Sequence, residues 1–166
     1  YYDQRYSAQH YESTRFNFLP DFLTKSTPID IGELGYLYQA RRNVDQAPAI
    51  TSDEFTITNY VLGTYQKPAM ALRLLEQYLG TATFDRLMQG FYQQWKFKHP
   101  QVADFRNYWT EESGKNLDWF FDGLINSAQK MDYAVTGLAE KDSYELTVKN
   151  KGQIAAPFSV TGLKDG

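Results

Sequence analysis

The sequence predicts a mainly α fold: a helical bundle that gives way to a short β-strand segment near its C-terminal end. Three observations carry this. Between Pro68 and Asn126 apolar residues return every three or four positions, in runs broken at Gly80, Pro100 and Gly114. After Lys130 the period drops to two, with Tyr133 and Val135, then Tyr144, Leu146 and Val148, then Phe158 and Val160 alternating with polar residues. The aromatic share is high at 16%, which suits thick helix packing. The expected organisation is a helical portion over residues 1–130 and the start of a β domain over 131–166.

The elements follow in chain order. Tyr2, Tyr6 and Tyr11 stand near helical spacing within residues 1–15, as in the tail of a helix that began upstream. Residues 16–52 lack sustained periodicity and carry Pro20, Pro28, Gly32, Gly35 and Pro48; a short helical turn fits around Glu33–Arg42. Asp53 to Asn59 fits a helix-entry turn or a short approach segment. Pro68 belongs in a first helical turn, so the next helix should begin near Tyr65 or Lys67. Leu72, Leu75 and Leu79 then share a face, and Gly80 is the stop. Thr81 or Thr83 should cap a second helix whose apolar face is Phe84, Leu87, Met88, Phe91 and Trp95. A third should cover about Val102 to Glu112, ending at Gly114. Asn116 should cap a fourth, Leu117 to Asn126, which carries Trp119, Phe120, Phe121, Leu124 and Ile125. Asn150-Lys151-Gly152 is a turn signal beyond the last helix. Roughly 35 residues are too few for a closed sandwich, so a stub or small sheet resting on the helices is expected.

Composition excludes several classes. The net charge is −3 with no Lys/Arg run able to neutralise several phosphates, which argues against nucleic acid. No apolar run approaches the length of a membrane span. With no cysteine there is neither a disulfide nor a thiolate zinc site, and the compartment stays unknown. The chain opens on Tyr1-Tyr2-Asp3 without an initiator Met and stops at Lys164-Asp165-Gly166 just after a strand-like run, so it reads as a piece of a longer protein. The abundant aromatics also suit a wall facing a peptide or sugar.

Few residues offer chemistry. His10 has Glu12 nearby but no second His at helical spacing, and His99 sits in the Lys96–Pro100 turn; zinc needs at least three ligands, so neither is read as one. There is no Gly-rich phosphate loop and no G-x-S-x-G elbow. Glu111 and Glu112 are neighbours on a solvated helix end. Tyr65 differs by its placement. A tyrosine just before a proline-started helix projects from the helix mouth, where its phenol can donate one hydrogen bond to a developing oxyanion. Taken alone, any one of the 13 tyrosines is more commonly packing than catalysis.

One ordered set of residues adds to this reading. Tyr60, Tyr65-Gln66-Lys67, Leu72, Leu75, Glu76, Leu79-Gly80, Phe84, Leu87, Tyr92, Trp95, Phe97, His99-Pro100, Phe105 and Trp119-Phe120-Phe121 together resemble the aminopeptidase N family of zinc metallopeptidases, the gluzincins. The likeness runs from about Tyr60 to Ile125 and more loosely beyond at both sides; no single motif in it is specific. It implies the C-terminal part of a thermolysin-like catalytic domain, in a hydrolase that removes N-terminal residues from peptides with zinc-activated water. By position Tyr65 matches the tyrosine that stabilises the tetrahedral intermediate. Tyr60 matches a second active-site tyrosine found in some members, and Lys67 the motif's lysine, with a structural role.

The sequence departs from the family pattern in two ways. Pro68 stands where the family usually has Gly. The zinc ligands, the general-base glutamate and the motif that binds the substrate's N-terminus are not in this chain, so the resemblance places them upstream. It therefore implies zinc as cofactor of the parent protein and none for this piece, which alone should be inactive. The upstream catalytic segment is its implied partner, and an apolar packing face left open would invite self-association. Two other readings stand beside this one: a non-catalytic helical interaction or scaffold module with an attached β domain, and a zinc-free relative that keeps only the fold.

Overall fold

The computed structural model describes residues 1–10, 31–140 and 143–161, and the fold is mainly α with one two-stranded antiparallel sheet among them. Six α-helices run in order through the described residues: α1 Tyr2–His10, α2 Ile31–Arg41, α3 Ile57–Val61, α4 Lys67–Leu79, α5 Thr81–Trp95 and α6 Val102–Ser113. Two π-helical segments are interleaved, π1 Leu62–Gln66 between α3 and α4, and π2 Trp119–Ile125 after α6. Strands β1 Tyr133–Glu140 and β2 Tyr144–Asn150 close the order.

The core lies where α4, α5, α6 and π2 converge. Leu75, Phe84, Leu87, Trp109, Leu117, Phe120 and Phe121 are buried there, and Leu72, Leu79, Met88 and Phe105 pack around them. The helical spacing of the sequence therefore names the inward faces of α4 and α5 correctly. Rings meet edge-on or tilted: Phe84 and Trp109 at 5.2 Å, Phe105 and Trp109 at 5.1 Å, Phe120 and Phe121 at 4.9 Å. Such geometry sets the positive edge of one ring against the negative face of the next.

The helix ends follow from local chemistry. Gly80 takes φ 80° and Gly114 φ 62°, so both expected stops are real. Thr81 is not a cap; it is the first helical residue of α5, and its hydroxyl donates to Glu76 Oε1 at 2.9 Å. Gly80 stands in the cap position, and its carbonyl accepts from Phe84 N–H. At the start of α6 the Asp104 carboxylate accepts from Gln101 N–H at 2.8 Å. Asn116 is not the cap: its Oδ1 accepts from Asp118 N–H at 2.8 Å ahead of the helix, and Asp118 itself stands in the cap position. The helix it opens is π rather than α. That wider winding lets the adjacent Phe120 and Phe121 both reach the core.

Other expectations need correcting. The short turn expected around Glu33–Arg42 is an eleven-residue helix, α2. Gly35 in its middle lowers intrinsic helicity and hides it from pattern reading. The same glycine faces π1, where a Cβ would meet the Leu62 side chain at ordinary contact distance, 3.4 Å. Beside α1 the inward ring belongs to Tyr1, tilted against Phe84 at 5.2 Å, while Tyr2 and Tyr6 stay exposed. Tyr11 and the rest of the expected N-terminal helix lie outside the described residues, as does most of the first half of the expected 16–52 loop. Phe158 and Val160 alternate as in a strand, yet no strand forms there. Phe158 instead packs on Tyr133 at 4.6 Å, and Tyr133 donates to the Ala156 carbonyl at 2.6 Å.

The β1–β2 hairpin pairs Tyr133 with Asn150 and Glu140 with Tyr144, with a register shift between Val135 and Gly137. It rests on the helices through Ile154, which is buried against Gly123 of π2. The turn after β2 needs glycine: a Cβ on Gly152 would meet the Lys130 carbonyl at 2.3 Å.

Candidate functional site

The residues around Tyr65 are organised by a change of helical pitch. Thr56 caps α3, with its Oγ1 accepting from Asn59 N–H at 3.4 Å. The chain then widens, and Lys67 N–H donates to the Leu62 carbonyl, five residues back. Pro68 gives this a physical reason. Its ring clashes with the carbonyl four residues earlier in a regular α-helix and it has no N–H to donate. A widened turn just before it removes the conflict, so the helix passes Pro68 without breaking. The α-helix proper begins at Lys67, as the proline predicts, but it continues from α3 and π1 and does not start from a loop.

The winding sorts side chains by face. Asn59, Gly63, Lys67, Ala71 and Leu75 are buried at every fourth position, while Tyr60, Val61, Thr64 and Tyr65 are exposed. Tyr65 is 61% exposed and Tyr60 46%. In a regular α-helix residues five apart point about 140° away from one another; π winding brings them closer to one side. The Tyr65 hydroxyl has no hydrogen-bond partner among the described residues, and Tyr60 touches Phe55 edge-on at 6.2 Å. The structure thus places both tyrosines on the outer side of one turn. Among the described residues it brings no second titratable side chain up to either phenol.

Beneath the turn lies a polar floor that sequence reasoning missed. Lys67 is 2% exposed and its ammonium donates to the Ser127 carbonyl at 2.7 Å. Asp45, also buried, has Oδ2 at 3.9 Å from Lys67 Nζ and Oδ1 at 2.6 Å from Lys130 Nζ. Lys130 donates as well to the Ala128 carbonyl. Burial pulls Lys67 down to about 8, partly opposed by Asp45 and reinforced by Lys130. Tyr36 of α2 is pushed well above its ordinary range by burial first and the Asp45 charge second. Asp45 Oδ2 stands 3.9 Å from the Lys67 ammonium, beyond hydrogen-bond distance, so its hold on Lys67 is electrostatic. The strip that carries Asp45 grips the turn at two further points. Asn59 donates to the Val44 carbonyl at 2.7 Å, and Gln46 Oε1 accepts from Thr56 N–H at 2.9 Å. A signal existed in the four-residue spacing from Asn59 to Leu75, but hydrophobic periodicity cannot see a buried stripe containing Asn, Gly and Lys.

A second polar cluster fastens α1 to the bundle. Arg5 makes two hydrogen bonds to Asp85, at 2.7 and 3.0 Å, and Tyr2 donates to Asp85 at 2.9 Å. The guanidinium holds the Asp85 carboxyl below its ordinary range. Tyr1 donates to Glu76, and burial, then Glu76, raise its phenol to about 12. His10 stacks on Tyr6 at 4.1 Å, and His99 lies exposed in the turn after α5. Among the described residues no three His, Asp or Glu side chains come together to hold a metal ion. No helix among them is long and apolar enough to cross a membrane.

Comparison with protein-family models, with curated proteins and with solved structures gives no match.

Proposed function

We propose that this chain is the stabilising half of a zinc aminopeptidase active site, part of a larger catalytic domain. Tyr65 donates its phenolic hydrogen bond to the oxyanion of a peptide bond under attack. The observation that carries this is the Tyr65 hydroxyl, which stands not at a helix mouth, as the sequence suggested, but on the outer side of π1 in a continuous helix, exposed and unpartnered among the described residues, while the turn beneath it is clamped at several points. A donor already placed where charge will develop costs no reorganisation during reaction. Tyr60 on the same side is assigned to substrate contact. The resemblance assigns the zinc ligands and the general base to an upstream segment of the same polypeptide.

That segment would cover the apolar side chains exposed near the turn: Leu34, Leu37 and Tyr38 of α2, and Ile57 and Val61 of α3. In the isolated chain they are expected to drive self-association, visible as a concentration-dependent mass in light scattering. A strict monomer at all concentrations would count against this assignment.

The test uses the intact parent. Aminoacyl anilides should be cleaved with zinc bound in stoichiometric amount; chelation should abolish turnover and added zinc restore it. The isolated chain should bind no zinc tightly and turn nothing over. A zinc-replete parent without aminopeptidase activity, or tight zinc in the isolated chain, overturns the proposal.

A further inference from the structure

We infer that Asp45, Lys67 and Lys130 form a positioning device for the turn that carries Tyr65, an inference resting on the reading of Tyr65 as an oxyanion donor. The argument is geometric. Lys67 closes π1 with its own N–H, two residues after Tyr65, and sends its side chain inward to the Ser127 carbonyl beyond π2. Asp45 faces that ammonium on one oxygen and Lys130 on the other. At the far end of the turn Asn59 is pinned to Val44, the residue before Asp45. The turn is thus held at both ends on one strip of chain, and that strip is tied through Lys130 to the segment after π2. Between the two posts Gly63 lies directly over Phe55, whose ring would stand 3.2 Å from a Cβ at that position.

Stability is a poor reason for such a cluster. Two ammonium groups share one buried carboxylate, and well-packed apolar residues in place of a buried ion cluster commonly hold a fold as well or better. What charges and directed hydrogen bonds add is a defined position. A phenol that must meet a developing oxyanion loses much of its effect when displaced by an ångström. The groups facing Lys67 are Asp45, Lys130 and, through Asp45, Tyr36.

The test is made in the intact parent with Lys67→Met, Asp45→Asn and the double variant, beside Tyr65→Phe. Each single cluster variant should lower kcat about tenfold or more with KM and zinc content unchanged. Amide hydrogens of residues 60–67 should exchange faster while those of α5 and α6 do not change. The double variant should recover part of the loss seen in Asp45→Asn, because the ammonium then left without a carboxylate is only that of Lys130, at the wetter end of the cluster. Wild type should show an alkaline fall in kcat near pH 8 that Lys67→Met lacks. If Lys67→Met fails to fold, Lys130→Met at the wetter end of the cluster is read the same way. Tyr65→Phe crippled but the cluster variants normal in kcat, pH profile and exchange overturns the positioning role and leaves the Tyr65 reading standing. Tyr65→Phe fully active, with exchange at 60–67 still altered by Lys67→Met, overturns the Tyr65 reading and shows the cluster as scaffold only.

Discussion

The two π-helical segments among the described residues sit on opposite kinds of ground. π2 is set into the aromatic core: Phe120 and Phe121 are buried, and Arg106 reaches over the outside to Asp118 and Asp122. π1 is set on charges and amides, with Gly63 and Lys67 inward and Tyr65 outward. The bond from Lys67 to the Ser127 carbonyl joins the end of one to the exit of the other. In π2 the extra winding solves a packing problem, since two adjacent rings both need the core. In π1 it lets the helix pass Pro68 and turns two tyrosines to solvent. On the proposed function, the first contributes stability and the second holds a donor still. Substitutions should separate these roles.

The largest effect on folding is expected from the π2 seat. Phe121→Ala should cost about 3–5 kcal/mol in denaturant unfolding, the usual loss for a fully buried ring. Asp45→Ala should cost about 3 kcal/mol, because two ammonium groups would then lack their shared counter-charge. A smaller cost for Asp45→Ala than for a surface carboxylate such as Glu112 would show that the floor of π1 is wetter than its burial indicates. Lys67→Met should cost about 1 kcal/mol or less, since the replacement keeps the apolar stem and removes a desolvated charge.

The pH dependence sharpens the contrast. Burial lowers Lys67 from 10.5 to about 8, so between these values the unfolded chain binds the proton that the folded chain has lost. Stability should therefore rise with pH from about 8 toward 10. Above that range the raised phenols of Tyr1 and Tyr36 act in the opposite sense, because they stay protonated in the folded state while the unfolded ones ionise. Unfolding series at several pH values should show the rise in wild type and a flat line in Lys67→Met. Tyr65→Phe should be the mildest of all in folding, within about 0.5 kcal/mol, as for an exposed side chain without partners among the described residues.

How much of this is legible in the sequence also divides along the two seats. The core around π2 can be read directly, because Leu75, Phe84, Leu87, Trp109 and Phe120 are apolar at helical spacing and Gly80 and Gly114 punctuate the runs. The change to period two at Tyr133 gives the hairpin. The winding does not show: nothing in Trp119-Phe120-Phe121 distinguishes a π turn from an α turn, because the choice depends on what the rings meet across the core. The position of Tyr65 can be inferred from Pro68, which fixes where α4 begins. The floor beneath it cannot. Asp45 lies in a stretch without periodicity, Lys130 just before the strands, and their meeting with Lys67 is made by tertiary packing alone. Phe97 is a further surprise, fully exposed at φ 63° in the turn after α5; the structure offers no physical account of why a phenylalanine occupies that position.

The central claim is that the Tyr65 hydroxyl works in chemistry and not in holding the fold. The most direct measurement is kcat of the intact parent with Tyr65→Phe, taken together with its zinc content and melting temperature. A loss of about a hundredfold or more, with zinc and melting unchanged, is what a removed oxyanion donor predicts. Wild-type turnover in Tyr65→Phe, or a loss of activity matched by a loss of stability, would contradict it.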